Sequence, residues 1–335
     1  PTRSALMTGR YATRLGTQAN VIYWDTPWGI PLNETFIPQN LKEVGYATAL
    51  FGKWHLGMYT EAYTPARRGF DEHMGYYQGC ESHYTHVAAC CSAGSADQDQ
   101  NYTCGRRNQG QGWNRYLGYD WFKTGPAPNG GTSKPDLTVN HRNSAYLIRD
   151  AAVDFIWRAS TQDMPFFLYL PFQNIHSPYA CDKKYRDVYV SQGAKFTLGE
   201  QTIFGYLTEM DDAVGTVLKA LKDSGRYDNS VIIFSSDNGA PPATVDVNHQ
   251  RGANPGWIAR NFPLRGFKSL IWEGGTRVAG FVHSPLLPHK VRGTESHELF
   301  HVTDWLPTIV QLAHGDTARN LPLDGHDIWP SLSTG

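Results

Sequence analysis

Hydrophobic positions along the chain follow two patterns. Residues 166–170 and 231–234 are short apolar runs that end in polar residues, which predicts strands buried on both faces of a parallel sheet. Residues 200–224 place apolar side chains every three to four positions, which predicts a long amphipathic helix. Strands of this kind beside helices of this length predict an α/β fold.

Shorter segments and helix-capping residues extend this pattern. Helices are predicted over 4–10, 38–44, 141–160 and 304–313, and strands over 46–51 and 276–283. Residues 60–136 lack periodicity and are rich in Gly, Asn, Gln, Tyr and Cys. We interpret them as long surface loops pinned by disulfides.

A carboxylate and a carboxamide follow the apolar run 231–234, at Asp237 and Asn238. Ligands of open α/β sheets collect at the carboxyl ends of strands. Hard oxygen donors suit Ca²⁺, or less readily Mg²⁺, rather than Zn²⁺. The alternative is a simple turn, since Asp, Asn and Gly dominate turns.

Cationic and titratable side chains lie at other strand and helix ends. Lys53 and His55 are flanked by glycines after the strand at 46–51, and His176 follows the run at 166–170. Lys268 lies on a glycine-containing loop, and Arg3 lies in the first helix. We expect one cavity to be shared by Asp237, Asn238, Lys53, His55, His176 and Lys268. Solvated lysines, a structural histidine and an incidental arginine are the alternatives.

Composition limits the classes of function. The formal net charge of the 335 residues is −1, which gives no support for bulk nucleic-acid binding. No run of about 18 apolar residues occurs, so no membrane span is predicted. The length suits one large α/β domain or two smaller ones.

The cysteines and two sequons indicate an oxidising compartment. Four of the five cysteines lie within residues 80–104, and glycosylation sequons begin at Asn33 and Asn101. This combination favours a secreted or lysosomal protein.

Cysteine spacing suggests particular disulfides. Cys104 is an easy loop away from Cys90 and Cys91, so we predict that it pairs with one of them. Cys80 would then take the other or reach Cys181.

Several segments, in order, resemble the sulfatase family, specifically its arylsulfatase B (N-acetylgalactosamine-4-sulfatase) type. Pro1-x-Arg3 with Thr8-Gly9-Arg10 is similar to the end of the signature C-x-P-x-R-x(4)-T-G-R. The other segments are 45–57, 67–71, 237–239 and 268–275.

The resemblance implies an alkaline-phosphatase-like fold, with a large, mixed, mostly parallel sheet between helices. Residues 1–335 would be one catalytic domain with a loop-rich, disulfide-containing insertion at about 60–136. The first strand and the nucleophile would precede residue 1, and a small C-terminal domain would be largely absent.

The resemblance also implies a nucleophile, a formylglycine made from a Cys or Ser two positions before Pro1. Arg3 and Lys53 would orient and stabilise its hydrate, and His55 would act on the hydrate hydroxyl.

The remaining implied roles concern substrate and metal. His176 and Lys268, together with Lys53, would bind sulfate and serve the leaving group. Asp237 and Asn238 would form half of a Ca²⁺ shell.

The expected activity is hydrolysis of sulfate monoesters, on a sulfated small molecule or a sulfated glycan. A phosphate or phosphonate ester hydrolase, and an inactive structural or storage protein, are the alternatives. Residues 1–335 alone are predicted to bind anions without turning over sulfate esters, because no matched position supplies a nucleophile.

Overall fold

The computed structural model describes residues 1–19, 21–88, 118–125, 131–191, 196, 198–241 and 260–335. Its helices are α1 (Thr2–Thr8), α2 (Ile37–Glu43), α3 (Ser144–Thr161), α4 (Lys183–Ser191), α5 (Leu198–Asp223), α6 (Glu273–Thr276), α7 (Trp305–Leu312) and α8 (Trp329–Thr334). Its strands are β1 (Ala47–Phe51), β2 (Glu72–Gly75), β3 (Phe122–Thr124), β4 (Lys134–Pro135), β5 (Phe166–Tyr169), β6 (Ile232–Ser235) and β7 (Gly280–His283).

The main sheet has the strand order β4-β3-β2-β1-β5. Strand β1 pairs in parallel with both β2 and β5, whereas β3 and β4 are antiparallel to their neighbours. Successive side chains of β1 point to opposite faces, as the two-residue period of a strand requires. Ala49 and Phe51 pack into one core cluster, and Leu50 packs into another.

Helices cover both faces of this sheet. On the face of Ala49, the apolar side of α3 contributes Ile148 and Ile156, and α5 contributes Val217 and Leu221. On the other face, a cluster around Leu50 includes residues of α1, and a further cluster joins α2 to α7. The periodic segments therefore formed the predicted helices, because each has an apolar stripe to bury.

Strand β6 forms where a strand was predicted, but its pairing differs from the prediction. It pairs antiparallel with β7, as a separate two-stranded sheet with Ile232 opposite His283. Its apolar residues are partly exposed, and Phe281 of β7 is 58% exposed. The prediction that this strand is buried on both faces of a parallel sheet was therefore wrong, since β-branched composition predicts a strand but not its partner.

The interpretation of residues 60–136 as surface loops was also wrong in part. Strands β2, β3 and β4 lie in this stretch, and Tyr76 and Trp121 beside them are fully buried. Strand β2 has no apolar alternation, and the carboxylate of its first residue, Glu72, is paired inside the fold. Arg158 donates to both oxygens of Glu72, at 2.6 and 2.8 Å.

The structure describes two of the five cysteines, Cys80 and Cys181. Cys90, Cys91, Cys104 and the sequon residue Asn101 lie outside the described residues. Cys80 is disulfide-bonded. Cys181 is a buried thiol whose sulfur lies 3.7 Å from the Thr202 carbonyl oxygen, so the Cys80–Cys181 alternative was wrong.

Across the described part of the chain, every helix is too short or too polar to cross a bilayer.

Candidate active site

The turn after β1 presents Lys53 towards the sheet edge. Gly52 has φ 127°, and a Cβ there would lie 2.3 Å from the Pro171 carbonyl oxygen. Only glycine allows this close approach of the segment after β5. The Lys53 amide then donates to that carbonyl at 2.9 Å, and the residue is 6% exposed.

His55 is fixed by an unusual backbone conformation. Its φ of 63° lies in the left-handed region, and its amide donates to the Tyr77 carbonyl at 3.1 Å. Its ring lies against Gly79, where an added Cβ would be 3.0 Å from the ring. Burial, together with the charges of Lys53 and Arg3, holds the pKa of His55 well below its ordinary value. The imidazole is therefore neutral at pH 7.

Arg3 joins three elements at one point. From α1 its guanidinium donates to the hydroxyl of Tyr169, the last residue of β5, at 2.8 Å. The same guanidinium lies 3.6 Å from a carboxylate oxygen of Asp237, which follows β6. Thr2 reinforces the link by donating to the Asp237 carbonyl at 2.5 Å.

His176 lies on the loop that follows β5. Its Nδ1 is 2.7 Å from the Ser177 carbonyl oxygen, and a carbonyl only accepts, so Nδ1 carries the proton of the neutral ring. Burial and the charges of Lys53 and Lys268 lower the pKa of His176 to about 3. The lone pair is consequently on Nε2.

Lys268 is held beside Asp237 by an asparagine. The Lys268 amide donates to the Ala240 carbonyl at 2.9 Å. Asn261 accepts from the Ala240 amide at 2.7 Å and donates to the Ala240 carbonyl at 3.0 Å. It also donates to the Gly266 carbonyl, so one amide side chain ties the two loops together.

The electrostatics of the cluster are dominated by cations. Burial alone would raise the pKa of Asp237, but Arg3, Lys53 and Lys268 outweigh it and the pKa lies below its ordinary value. Burial and Arg3 lower the pKa of Lys53. They lower the pKa of Lys268 too, against the attraction of Asp237. Three cations facing one carboxylate form a binding site for an anion.

The metal ligands fit Ca²⁺ in type but not in number. Asp237, whose side chain is 41% exposed, accepts a hydrogen bond from the side-chain amide nitrogen of Asn238 at 2.7 Å. A carboxylate and a carboxamide supply hard oxygens, but Ca²⁺ takes six to eight ligands. Within the described ranges, no three His, Cys, Asp or Glu side chains cluster in a way that could hold a metal.

The structure thus brings the candidate side chains together at one edge of the fold. They are Arg3, Lys53, His55, His176, Asp237 and Lys268, with Asn238 bonded to Asp237. Sequence reasoning missed Tyr169 and Asn261. Tyr169 lies next to the end of the predicted strand 166–170, and that position was the available signal, whereas nothing in the sequence marks Asn261.

The chain is similar to known proteins over nearly its whole length. Residues 1–315 match the family model described as Sulfatase. Arylsulfatase J of Mus musculus is 37% identical over 337 residues, covering 100% of this chain and 48% of that protein. Arylsulfatase A of Homo sapiens is 30% identical over 348 residues, covering 99% of this chain and 58% of that protein.

Among solved structures, Ps i-CgsB in complex with k-i-k-neocarrahexaose has a TM-score of 0.73 and 28% identity, covering 98% of this chain and 64% of that one. The chain spans about half the length of the relatives named above. The alkaline-phosphatase-like fold class is confirmed, while the arylsulfatase B type stays a prediction. The chain belongs to the sulfatase family.

Proposed function

We propose that this chain carries the anion-binding and proton-transfer groups of a sulfate monoester hydrolase. The observation that carries the proposal is the convergence of Arg3, Lys53 and Lys268 on a single carboxylate, with two neutral histidines beside them. A sulfate ester is an anion, and cleavage of its S–O bond adds charge to the leaving oxygen. Fixed cations in a partly desolvated site stabilise both charges.

Lys53, His176 and Lys268 would bind the sulfate group. Burial is the main reason that the pKa of His176 is low, and Lys53 and Lys268 lower it further by repulsion. The bound anion would offset this repulsion. His176 would then take up a proton on Nε2 more readily. It could donate that proton to the leaving oxygen, while Lys268 stabilises the developing charge.

His55 would act as a base on the nucleophile side. Its pKa, lowered by burial and by Lys53, keeps the imidazole unprotonated and able to accept a proton at neutral pH. Arg3, fixed by Tyr169, would orient the nucleophile together with Lys53.

Two groups complete this proposal. A formylglycine two positions before Pro1 would supply the hydroxyl nucleophile. Asp237 and Asn238 would contribute oxygens to Ca²⁺, which would neutralise charge on the sulfate group.

The substrate would be a sulfated aryl compound or a sulfated glycan, and the protein would be lysosomal or secreted. The disulfide at Cys80 and the exposed Asn33 sequon support an oxidising, glycosylating compartment.

The test measures hydrolysis of an aryl sulfate and an aryl phosphonate by protein that includes the residues before Pro1. Lys53→Met should lower kcat/KM for the sulfate by about 10²–10³-fold, because it removes a buried cation at the reacting group. Lys123→Met removes an exposed lysine on β3 and should leave the rate unchanged. A wild-type protein that cleaves only the phosphonate, or a Lys53→Met variant of full activity, would refute the proposal.

A further inference from the structure

The loop that carries His176 is anchored from behind by α5. The Asn174 side-chain amide donates to the Tyr206 carbonyl at 2.9 Å. The Tyr206 hydroxyl donates to the His176 carbonyl, at an O···O distance of 3.4 Å. Tyr206 therefore contacts this loop with both its backbone and its side chain.

A second histidine fixes the Tyr206 hydroxyl. His83 Nε2 is hydrogen-bonded to that hydroxyl, and His83 Nδ1 lies 2.8 Å from the Ser144 hydroxyl of α3. Tyr206 and Ser144 are 0% exposed and His83 is 1% exposed. Water cannot replace these partners, so each buried polar atom depends on the next.

One arrangement of protons satisfies the whole chain of contacts. The His176 carbonyl only accepts, so the Tyr206 hydroxyl must donate to it. Tyr206 then accepts from the Nε2–H of His83, and the His83 Nδ1 accepts from the Ser144 hydroxyl. Burial lowers the pKa of His83 to about 3, so the ring is neutral and carries one proton, as this arrangement requires.

We propose that Tyr206, oriented by His83 and Ser144, is a positioning residue that sets the direction of the His176 imidazole. The imidazole is tied to the backbone of the next residue, because Nδ1 donates to the Ser177 carbonyl. A shift of the His176 carbonyl therefore rotates the ring and moves Nε2. The inference rests on the proposed function, in which Nε2 protonates the leaving oxygen.

The experiment compares Tyr206→Phe with wild type on two aryl sulfates, one with a good leaving group and one with a poor one. Loss of the hydroxyl should lower kcat about tenfold for the poor leaving group, which needs a proton, and change KM little. The rate with the good leaving group should be nearly unchanged. Tyr189→Phe is the matched control, because the Tyr189 hydroxyl of α4 is hydrogen-bonded to Thr208 of α5 at 2.6 Å and lies off the loop. Equal losses with both leaving groups would indicate a merely structural role and overturn the proposal.

A second measurement tests the proposal if the Tyr206→Phe variant folds poorly or if the wild-type protein shows no sulfatase activity. Nitrogen-15 NMR of the wild-type protein should show His83 as the Nε2–H tautomer. The Nδ1–H tautomer would exclude donation by Tyr206 to His176 and refute the arrangement. Absence of activity with the Nε2–H tautomer present would refute the proposed function and leave the anchoring of the loop supported.

Discussion

At the scale of single residues, the fold contains acids that are buried without a cation. Glu209 of α5 is fully buried and accepts from the Asn143 amide at 2.9 Å and from the Asp182 backbone amide at 3.1 Å. Burial outweighs these hydrogen bonds and raises the pKa of Glu209 to about 7. Asp182 adds to the shift by repulsion.

This shift predicts a pH dependence of stability. Between the ordinary pKa of 4.5 and about 7 the folded state holds a proton that the unfolded state releases. The contribution to the free energy of unfolding is therefore complete below 4.5 and lost as pH rises through about 7. Glu209→Gln should reduce the change in the free energy of unfolding between pH 4.5 and 8 by up to about 3 kcal/mol. Urea denaturation across this pH range measures the profile of stability against pH.

The exposed Glu298 gives the control, since Glu298→Gln should leave the profile unchanged. A Glu209→Gln profile parallel to that of wild type would show that Glu209 is not the titrating group.

At the scale of elements, the turn from β1 into the site depends on close backbone contact. Two glycines with positive φ allow backbone strain to be distinguished from steric contact. A side chain at Gly52 would meet the Pro171 carbonyl, whereas Gly45 has open space around it. Both would place an alanine in a strained conformation, but only Gly52 would also force two segments apart.

Gly45→Ala should therefore lower the free energy of unfolding by about 1 kcal/mol, through backbone strain alone. Gly52→Ala should lower the free energy of unfolding by about 3 kcal/mol or more. It should also weaken sulfate binding, because Lys53 moves with the turn. Denaturant unfolding of both variants tests this, and equal costs would mean that the contact with Pro171 is not limiting.

At the scale of the whole molecule, the site is a cluster of like charges whose repulsion a bound anion relieves. Lys53 and Lys268 have pKa values lowered first by burial, with Arg3 adding to the shift, so their charged forms are unfavourable at this site. An anion that binds only the folded chain stabilises it by mass action.

Inorganic sulfate should raise the melting temperature more than sodium chloride at equal ionic strength. At 100 times its Kd, the added stability would be about 2.7 kcal/mol. The effect should weaken as pH rises, because the lysines bind sulfate in their protonated forms and lose those protons at a lower pH than ordinary lysines. Lys53→Met distinguishes binding at the site from the general effect of sulfate on protein surfaces. The variant should keep the general effect and lose the stabilisation that comes from binding. The same sulfate response in this variant would contradict a site at Lys53.

Some of the fold and site was determined locally, and the sequence predicted that part. The stripes of α3 and α5, the glycines around Lys53 and His55, and the acid after β6 each rely on neighbours a few positions away. Periodicity and strand-end position therefore indicated the helices, the cationic residues and Asp237.

Tertiary structure decided what depends on contacts between distant segments. The antiparallel partner of β6, the burial of β2 and the contact of Arg3 with Tyr169 join residues far apart in the chain. So do the loop bridge made by Asn261 and the contact of Tyr206 with the His176 loop. Nothing in a local pattern specifies such partners, because a hydrogen bond or a strand pairing depends on where the whole chain brings its donors and acceptors.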